Sequence, residues 1–519
     1  SGFTATLDGR AALDFGLARG IALQTRGELA SSGGRLTYTA AGCVPLTVER
    51  LELDENDVTD ISGRFCPTGR PLFEVRDGAW RADGALSGLS ASAPFLALHF
   101  REAEGVLAAT GGPRGVGLEA RVSRATVVDA TAPARFNPMT AVGSARLSGD
   151  DWTGAFDLSN GQTTLGRLTL AHDGQAGVGG LTVDAPSIVF VEGGLQPSDL
   201  SPLAGGVVGS PAVGSVGFTG RVDWRADAEG TSSGRLTVPG LDFTSPAGPV
   251  KGLRGTIDFT SLAPLEAAPG QTLHADLLES VAPLTDIDLV FGLDKAALTV
   301  EGADLAVAGG VVRVEPLTVP LDIQQGFTGV IVLETVQLGQ VITDAGFGDK
   351  VSLDAVVSGR LPFSWNPRDG VRIVGGDLQA VQPGRLSIPR SALSGLEAAG
   401  GGEELPPNTV QDLAYQAMEN LAFDILSAQV DSQDQGRLGV IFRIRGRHDP
   451  PERQELRIPL AEFISREFLN RELPLPSNTG IDLTLETSLN LNQLVSDLMA
   501  LDRARNGRPD APGPDEASP

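Results

Sequence analysis

The sequence predicts a mainly β protein: a long antiparallel sheet with one apolar and one polar face, with a few amphipathic helices near the C-terminus. The first observation is that strand-length segments such as 351–363 and 481–491 alternate apolar and polar residues. The second is composition, since 519 residues include 66 Gly and 34 Pro but only 20 Phe, 4 Trp and 2 Tyr. Many turns and few thick cores are expected from such a chain. Alternation with period 2 gives each strand one apolar and one polar face.

Strand segments recur along the whole chain at the spacing typical of all-β proteins. Representative segments are 35–40, 154–158, 187–191, 215–224, 255–259, 287–293 and 329–334. Pairs such as Gly33-Gly34, Asp77-Gly78 and Pro383-Gly384 are typical of the turns between them. No strict repeat of the solenoid kind is present, so we predict an irregular meander.

The two cysteines, Cys43 and Cys66, lie beside strand segments in the first part of the chain. They fit one disulfide, which closes a loop of about 24 residues, stabilises the fold by about 3 kcal/mol and indicates an oxidising compartment. Two unrelated buried thiols are the alternative. A metal site is a poorer explanation, because the four histidines are scattered and none has ligand spacing to a cysteine. They are His99, His172, His274 and His448.

Helices are predicted only near the C-terminus. The longest spans 408–427, where Asn408 and Gln411 fit a variant of the capping box and apolar residues fall on one stripe. A second helix is expected at 460–469 and a third at 491–505. The remaining tail is acidic and rich in Pro, and we expect it to be disordered.

Charge and motifs exclude several functions. The net charge of −25 disfavours nucleic acid and anionic membrane surfaces as partners, because both attract basic proteins. No apolar run reaches the roughly 18 residues of a membrane-spanning helix. The chain lacks the nucleophile elbow, the Walker loop, the zinc-protease motif and Cys-x-x-Cys, so we predict neither an enzyme nor a cofactor. Paired carboxylates for glycoside hydrolysis remain an alternative, although most acidic residues fall on polar strand faces or in turns.

Several segments, in a fixed order, resemble the C-terminal region of the YdbH-like family. They are 357–363, 376–386, the helix 408–427, 430–438 and 490–495, and the resemblance extends from about Leu200 to Val495. Members of this family, which is similar in style to AsmA and TamB, are thought to bridge the two bacterial membranes and conduct phospholipid. The resemblance implies that the sheet is elongated and curled and forms an apolar groove. It also implies three parts: 1–199 as the first part of the groove, 200–490 as the YdbH-like groove, and 491–519 as a short helix and tail.

The resemblance also implies a location and partners. Family members lie in the periplasm of Gram-negative bacteria, have an inner-membrane anchor and are expected to meet small outer-membrane lipoproteins. The anchor is missing here, so we interpret the chain as a soluble fragment of a longer protein. We predict that a lipoprotein adds a strand to the edge near 481–491, a segment without Pro. The alternative is that the helix 491–505 covers that edge.

The apolar alternates of the strands are the candidate lipid-binding residues. We assign to the groove Leu289, Phe291, Leu293, Leu298, Val300, Ile331, Leu333, Leu353, Ala355, Val357, Phe442, Ile444, Leu483, Leu485, Leu489 and Leu491. Moving a diacyl lipid through water exposes some 30 methylenes at about 0.8 kcal/mol each, so the barrier is about 20 kcal/mol or more. An apolar groove would remove it. The alternative structure is a closed sandwich of two sheets.

Three functions therefore compete. The first is a periplasmic protein that conducts phospholipid between the inner and outer membranes. The second is a structural or adhesive envelope protein that binds partners through strand edges. The third is a carbohydrate-active enzyme.

Overall fold

The protein is described by a computed structural model that covers residues 2–52, 57–113, 115–204, 208–226, 228–245, 247–280, 282–389, 410–433, 437–465 and 473–490. These residues contain 30 strands, and the strand pairs among them are antiparallel. The predicted fold class, mainly β and antiparallel, is confirmed. The chain divides into two compact units, which we call the N-terminal unit (Ser1–Gln271) and the C-terminal unit (Thr272–Pro519).

The N-terminal unit consists of long strands joined by tight turns. Its strands are β1 (Phe3–Phe15), β2 (Ala18–Ser32), β3 (Arg35–Ala40), β4 (Val44–Leu51), β5 (Val58–Cys66), β6 (Phe73–Arg76), β7 (Ala79–Ala93), β8 (Leu98–Gly112), β9 (Gly115–Asp129), β10 (Met139–Ser148), β11 (Asp151–Asn160), β12 (Thr163–Asp173), β13 (Val178–Phe190), β14 (Gly209–Arg225), β15 (Ala228–Ser245) and β16 (Gly248–Leu262). The division between the units falls within β17 (Leu265–Leu278).

From β7 to β16 every strand pairs with the next one in the chain, which is the predicted meander. Before β7 the order is more complex, because β2 pairs with both β3 and β4, and β7 with both β5 and β6. Cys43 and Cys66 lie at the paired ends of β4 and β5 and form a disulfide, with their Cα atoms 4.0 Å apart. The disulfide prediction is confirmed.

The C-terminal unit has shorter strands. They are β18 (Leu284–Leu293), β19 (Ala297–Val307), β20 (Gly310–Val314), β21 (Leu317–Pro320), β22 (Phe327–Gln337), β23 (Ser352–Asp354), β24 (Val356–Asn366), β25 (Gly370–Ile373), β26 (Gly376–Ala380), β27 (Gly384–Ser387), β28 (Leu421–Ser432), β29 (Arg437–His448) and β30 (Gly480–Asn490). Many partners are not consecutive: β22 pairs with β20 and β24, and β26 with β24 and β28. The strands β28, β29 and β30 then pair in sequence.

The described helices are short. They are α1 (Pro197–Leu200), α2 (Leu338–Asp344), α3 (Val410–Glu419) and α4 (Leu460–Ser465), with 3₁₀ turns at Pro94–Leu96 and Ile323–Gln325. No helix in the described ranges is both long and apolar enough to cross a membrane.

The predicted helix 408–427 is wrong in its second half. The helix α3 ends at Glu419, and the strand β28 begins at Leu421. A bulge between Phe423 and Ile425 breaks the period-2 alternation, so the apolar residues fall at a spacing that also fits a helix. The segment 421–432 forms a strand because it pairs with β26, β27 and β29.

Other predictions near the C-terminus are tested only in part. Helix α4 confirms the start of the predicted helix 460–469, whereas 466–469 lie outside the described residues, as do Asn408, the predicted helix 491–505 and the tail. The three-part division at 199/200 and 490/491 came from the resemblance and stays a prediction.

Candidate functional site

The largest cluster of buried apolar side chains lies in the C-terminal unit. Its two most buried members, Leu421 and Phe423, lie on β28 and are each only 1% exposed. Both follow α3, whose Ala417 is buried in the same cluster. One face of each strand therefore points into a common core, as the alternation predicts.

Beside this core lies an apolar cavity of about 250 Å³, which we call the apolar pocket. All of its lining side chains are hydrocarbon, and most come from β24, β26, β28 and β29. They are Leu338, Val357, Leu361, Ile373, Leu378, Ala380, Leu426, Ala428, Val430, Leu438, Val440 and Phe442. Leu378 is opposite Ala428, and Val430 is opposite Val440 in the strand registers, so the lining residues stand side by side on one sheet face.

The size of the apolar pocket limits what it can hold. Cavities lined only by hydrocarbon stay free of water and bind small apolar molecules, but drug-sized ligands occupy sites of about 300 to 1,000 Å³. A diacyl lipid does not fit in 250 Å³. The pocket is large enough for a segment of one acyl chain.

The opposite face of the same strands is charged. On β29 the side chains of Arg443, Arg445 and Arg447 alternate with the apolar residues and are exposed. Arg445 forms an ion pair with Asp482 of β30, with 3.2 Å between Nη2 and Oδ2. Such exposed pairs contribute little stability. The charged groups are kept on the face of the sheet that contacts water, and only hydrocarbon side chains line the pocket on the other face.

The structure places the sequence-predicted residues on the expected strands. Leu289, Phe291 and Leu293 lie on β18, Leu298 and Val300 on β19, Ile331 and Leu333 on β22, Leu353 on β23, Val357 on β24, Phe442 and Ile444 on β29, and Leu483, Leu485 and Leu489 on β30, with Ala355 between β23 and β24. The side chain of Leu489 is not described, and Leu491 lies outside the described residues.

The strand register brings many of these residues together. Facing pairs are Phe291 with Val300, Leu293 with Leu298, Phe442 with Leu485, and Ile444 with Leu483. The buried core cluster of the C-terminal unit contains Ala355, Val357 and Ile444, and the partly buried Leu333, Leu353, Phe442, Leu483 and Leu485 pack against it. Of the predicted set, Val357 and Phe442 line the apolar pocket.

Burial separates two groups among the predicted residues. Phe291, Ala355, Val357 and Ile444 are buried, so they pack within the protein. Val357 is 2% exposed, so a charged residue at this position would destabilise the fold, and a loss of lipid binding could not be distinguished from unfolding. The other described members are half-buried. Their assignment to a lipid groove stays a prediction.

Sequence reasoning missed most of the pocket lining. Leu426, Ala428 and Val430 were assigned to a helix or to no element, although Leu426-Ser-Ala-Gln-Val430 alternates as a strand does. Leu361 and Ile373 lie on segments whose partners are distant in sequence or joined by a tight turn. The alternation in 426–430 was the available signal.

A second cavity, of about 620 Å³, lies in the N-terminal unit. It borders β1, β2, β4 and β5, and its lining includes Arg10, Gln24 and Thr47 along with apolar residues. This mixed lining does not select hydrocarbon. In the part of the chain that the structure describes, no three His, Cys, Asp or Glu side chains are grouped as a metal site.

One protein-family model matches the chain over residues 19–457, and its description is YdbH-like, intermembrane phospholipid transport protein YdbH. The match covers well over half of the sequence, including the strands that line the apolar pocket. The chain therefore belongs to the YdbH-like family, as the resemblance predicted. No curated protein matches the chain. Membership supports lipid transport as the general function and an envelope location between the two membranes.

Proposed function

We propose that this member of the YdbH-like family conducts phospholipid between the inner and outer membranes along an apolar strand face. In this proposal acyl chains lie against the half-buried apolar residues and headgroups stay in water. The family supports phospholipid as the cargo. The observation that carries the mechanism is the apolar pocket, which is lined only by hydrocarbon.

An acyl chain must contact apolar side chains along the whole length of its path. Each methylene left in water costs about 0.8 kcal/mol, so a path with gaps would restore the barrier. A pocket that holds only part of a chain fits one station on such a path better than a storage site for a whole lipid.

Strand β26 offers a matched test of this path. Leu378 lines the pocket, and its neighbour Gln379 is exposed on the opposite face. A photo-crosslinking residue at position 378 should capture phospholipid, whereas the same residue at position 379 should not. Equal capture at both positions would refute transport along this face.

Blocking the path should stop transfer without unfolding the protein. Ala380 lines the pocket and is only partly buried. Ala380→Phe should fill the cavity with hydrocarbon and slow phospholipid transfer between vesicles, with Gln379→Phe as the control. An unchanged circular dichroism spectrum would show that the fold is retained. Full transfer by a folded Ala380→Phe protein would contradict the proposed path.

Analysis of the purified protein can identify the cargo and distinguish phospholipid transport from the two rival functions. Organic extracts of the purified protein should contain phospholipid above the level found for a control protein. A structural or adhesive protein would carry none, and a carbohydrate-active enzyme would instead cleave glycans. Lipid-free extracts would therefore count against transport.

We also propose that an outer-membrane lipoprotein adds a strand to β30. Among the described strands, β30 pairs only with β29, so no described strand covers its other edge, and that edge is where a partner strand would add. The rival occupant is the segment 491–505 of the chain itself.

Two proline variants distinguish the edges of β30. Successive amides in a strand point to opposite sides, so Thr484 and Thr487 direct their N–H groups to different edges. One of Thr484→Pro and Thr487→Pro should abolish lipoprotein binding with the fold retained, and the other should weaken the β29 ladder. Retained binding in both variants would refute strand addition.

A further inference from the structure

The ends of the long strands form two margins of the N-terminal unit. What we call the first margin contains the turn 16–17 between β1 and β2 and the turn Pro94–Leu96 between β7 and β8. The second margin contains the start of β7 and the end of β14. These positions follow from the antiparallel pairing of β1 through β14.

Two aromatic contacts join the first margin to the second. Phe15, at the first margin, packs edge-to-face on Trp80 at the second, with 5.0 Å between the ring centroids. Phe95 packs in the same way on Trp224, with 5.9 Å between the centroids. In a flat sheet the margins would be a strand length apart, which is roughly 50 Å for the 17 residues of β14 at about 3.3 Å per residue. The N-terminal unit therefore curls until its margins meet at both places.

Bulges in the strands account for this curl. Register shifts interrupt the pairing of β8 with β9, β9 with β10, β11 with β12 and β13 with β14. A bulge bends the strand that contains it. Glycine permits a close approach of strands at two of these shifts, because a Cβ at Gly105 would overlap the carbonyl oxygen of Arg121 and a Cβ at Gly143 that of Ala155.

Both tryptophans are held on the apolar face by neighbours at their own margin. Trp224 follows Phe218 at alternate positions of β14, and Phe218 packs against a cluster of buried apolar side chains. The indole N–H of Trp224 donates to Nδ1 of His172, with 3.2 Å between the nitrogens. Phe73 of β6 stacks on Trp80, with 6.2 Å between the ring centroids. The tryptophan side of each contact is therefore fixed by the sheet.

The phenylalanine side of each contact lies at a turn and is only partly covered. Phe15 is 45% exposed and Phe95 is 39% exposed. The turn that carries Phe95 is positioned by Arg135, which donates to the carbonyl of Leu96 at 3.1 Å. Each contact can therefore open through a movement of its turn, with the strand pairing retained.

From this geometry we propose that the two contacts are gates that close the apolar groove of the N-terminal unit, an inference that rests on the proposed function. Acyl chains on the apolar face leave the headgroup in water, at the opening between the margins. Where a phenylalanine meets a tryptophan, the headgroup cannot advance until the rings separate. A single edge-to-face pair is a weak contact, so thermal motion can open it and let phospholipid pass.

A reversible lock across one contact tests the gate. Phe95→Cys and Trp224→Cys can be joined by a photocleavable linker that reacts with two thiols, because Cys43 and Cys66 are paired and leave no free cysteine. The linked protein should transfer phospholipid between vesicles roughly tenfold more slowly than the same variant before linking, since a lid that cannot open stops passage. Light should restore the rate.

The matched control places the same linker on the other face of β14. Arg221→Cys joined to Asp223→Cys links two side chains that alternate with Trp224, so it connects no margins and should leave transfer unchanged. No link between positions 95 and 224 would overturn the contact itself. A linked protein that transfers at the unlinked rate would overturn the gate and leave transport standing, whereas a wild-type chain without transfer would overturn transport and the gate with it.

Removal of both phenylalanines gives a second measurement without a linker. Phe15→Ala with Phe95→Ala should raise the transfer rate by roughly two- to tenfold, the factor that corresponds to one edge-to-face pair. Phe347→Ala is the control, because that phenylalanine is 36% exposed and lies in the other unit. A transfer rate that falls or stays the same in the double variant would contradict the gates.

Discussion

The two units use the same strand alternation but connect their strands differently. In the N-terminal unit, β7 to β16 form a meander in which each strand pairs with its neighbour in sequence. In the C-terminal unit, β22, β24, β26 and β28 pair with each other across intervening strands. The second arrangement produces the larger buried cluster and the apolar pocket.

The difference shows that alternation alone does not create an apolar pocket. The largest buried cluster of the N-terminal unit gathers residues such as Leu165, Phe190, Ala212 and Phe243, largely from β12 to β15. Strands that are adjacent in sequence bring nearby residues together. Pairing across intervening strands brings several apolar faces to one place, which is what a cavity lined by distant segments needs.

Truncation of a central aromatic residue should have the largest effect on this comparison. Phe423→Ala in the C-terminal unit should destabilise that unit by about 3 to 5 kcal/mol, through lost burial and a new cavity. Phe423 is 1% exposed. Hydrogen exchange should accelerate in β27, β28 and β29 and stay slow in the N-terminal unit.

Phe190→Ala is the matched variant in the other unit, where Phe190 is 3% exposed. Its effect on exchange should be confined to the N-terminal unit. If either variant accelerates exchange equally in both units, the two cores unfold as one and the comparison fails.

The sequence predicted what depends on local alternation and not what depends on distant pairing. The strand 35–40 was predicted with the bounds that β3 has, because turn residues flank a regular pattern. The predicted apolar alternates of β29 and β30, such as Phe442 and Leu485, do share a face. The part of the pocket lining formed by Leu426, Ala428 and Val430 was missed, because a bulge disguised β28 and one of its partner strands, β26, lies far away in sequence.

Tryptophan packing was equally beyond the sequence. Trp80 lies so close to Gly111 of the neighbouring strand that an added Cβ would be 2.3 Å from the ring. Trp224 has the same relation to Gly179, where the distance would be 2.4 Å. Glycine is required at both places by close approach and not by a turn. Only the cross-strand register reveals this requirement.

The N-terminal unit has a buried ion pair that should give the next largest effect. The Asp129 carboxylate is fully buried and accepts hydrogen bonds from Arg135 and Thr131, with 2.7 Å between Oδ1 and Nη2 of Arg135. Arg135 also donates to the carbonyl of Leu96. Asp129 therefore fastens the segment after β9 to the turn before β8. Asp129→Ala should cost roughly 3 kcal/mol, since it leaves the arginine unpaired.

This carboxylate should also make the stability of the N-terminal unit depend on pH. Burial raises the pKa of Asp129, but the hydrogen bonds from Arg135 and Thr131 outweigh it and hold the pKa well below its usual value. Because the pKa of Asp129 is lower in the folded protein than in the unfolded chain, where it is about 4, the ionised carboxylate stabilises the fold at pH values above about 4. This stabilisation is lost progressively as the pH falls below that value. Denaturation of wild type and Asp129→Ala between pH 7 and pH 3 should show their difference shrink. A difference that stays constant over this range would contradict the role of Asp129.

The smallest expected effect concerns the way in which α3 is attached to the C-terminal unit. Gln416 is buried, and its side-chain amide forms two hydrogen bonds with the segment before β30. Its Nε2 donates to the carbonyl of Leu473 at 3.1 Å, and its Oε1 accepts from the N–H of Leu475 at 2.8 Å. These two hydrogen bonds join α3 to a segment nearly sixty residues later in the chain.

Gln416→Ala should therefore cost about 1 to 3 kcal/mol, because it leaves a partly buried carbonyl and amide without these partners. Exchange should accelerate at Leu475 and in α3, with little change in β24 and β26. Gln340→Ala is the control, because that glutamine is exposed on α2 and donates to Asp344 four residues later. If the two variants have the same effect on stability and exchange, Gln416 does not hold α3 in place, and apolar packing alone attaches this helix.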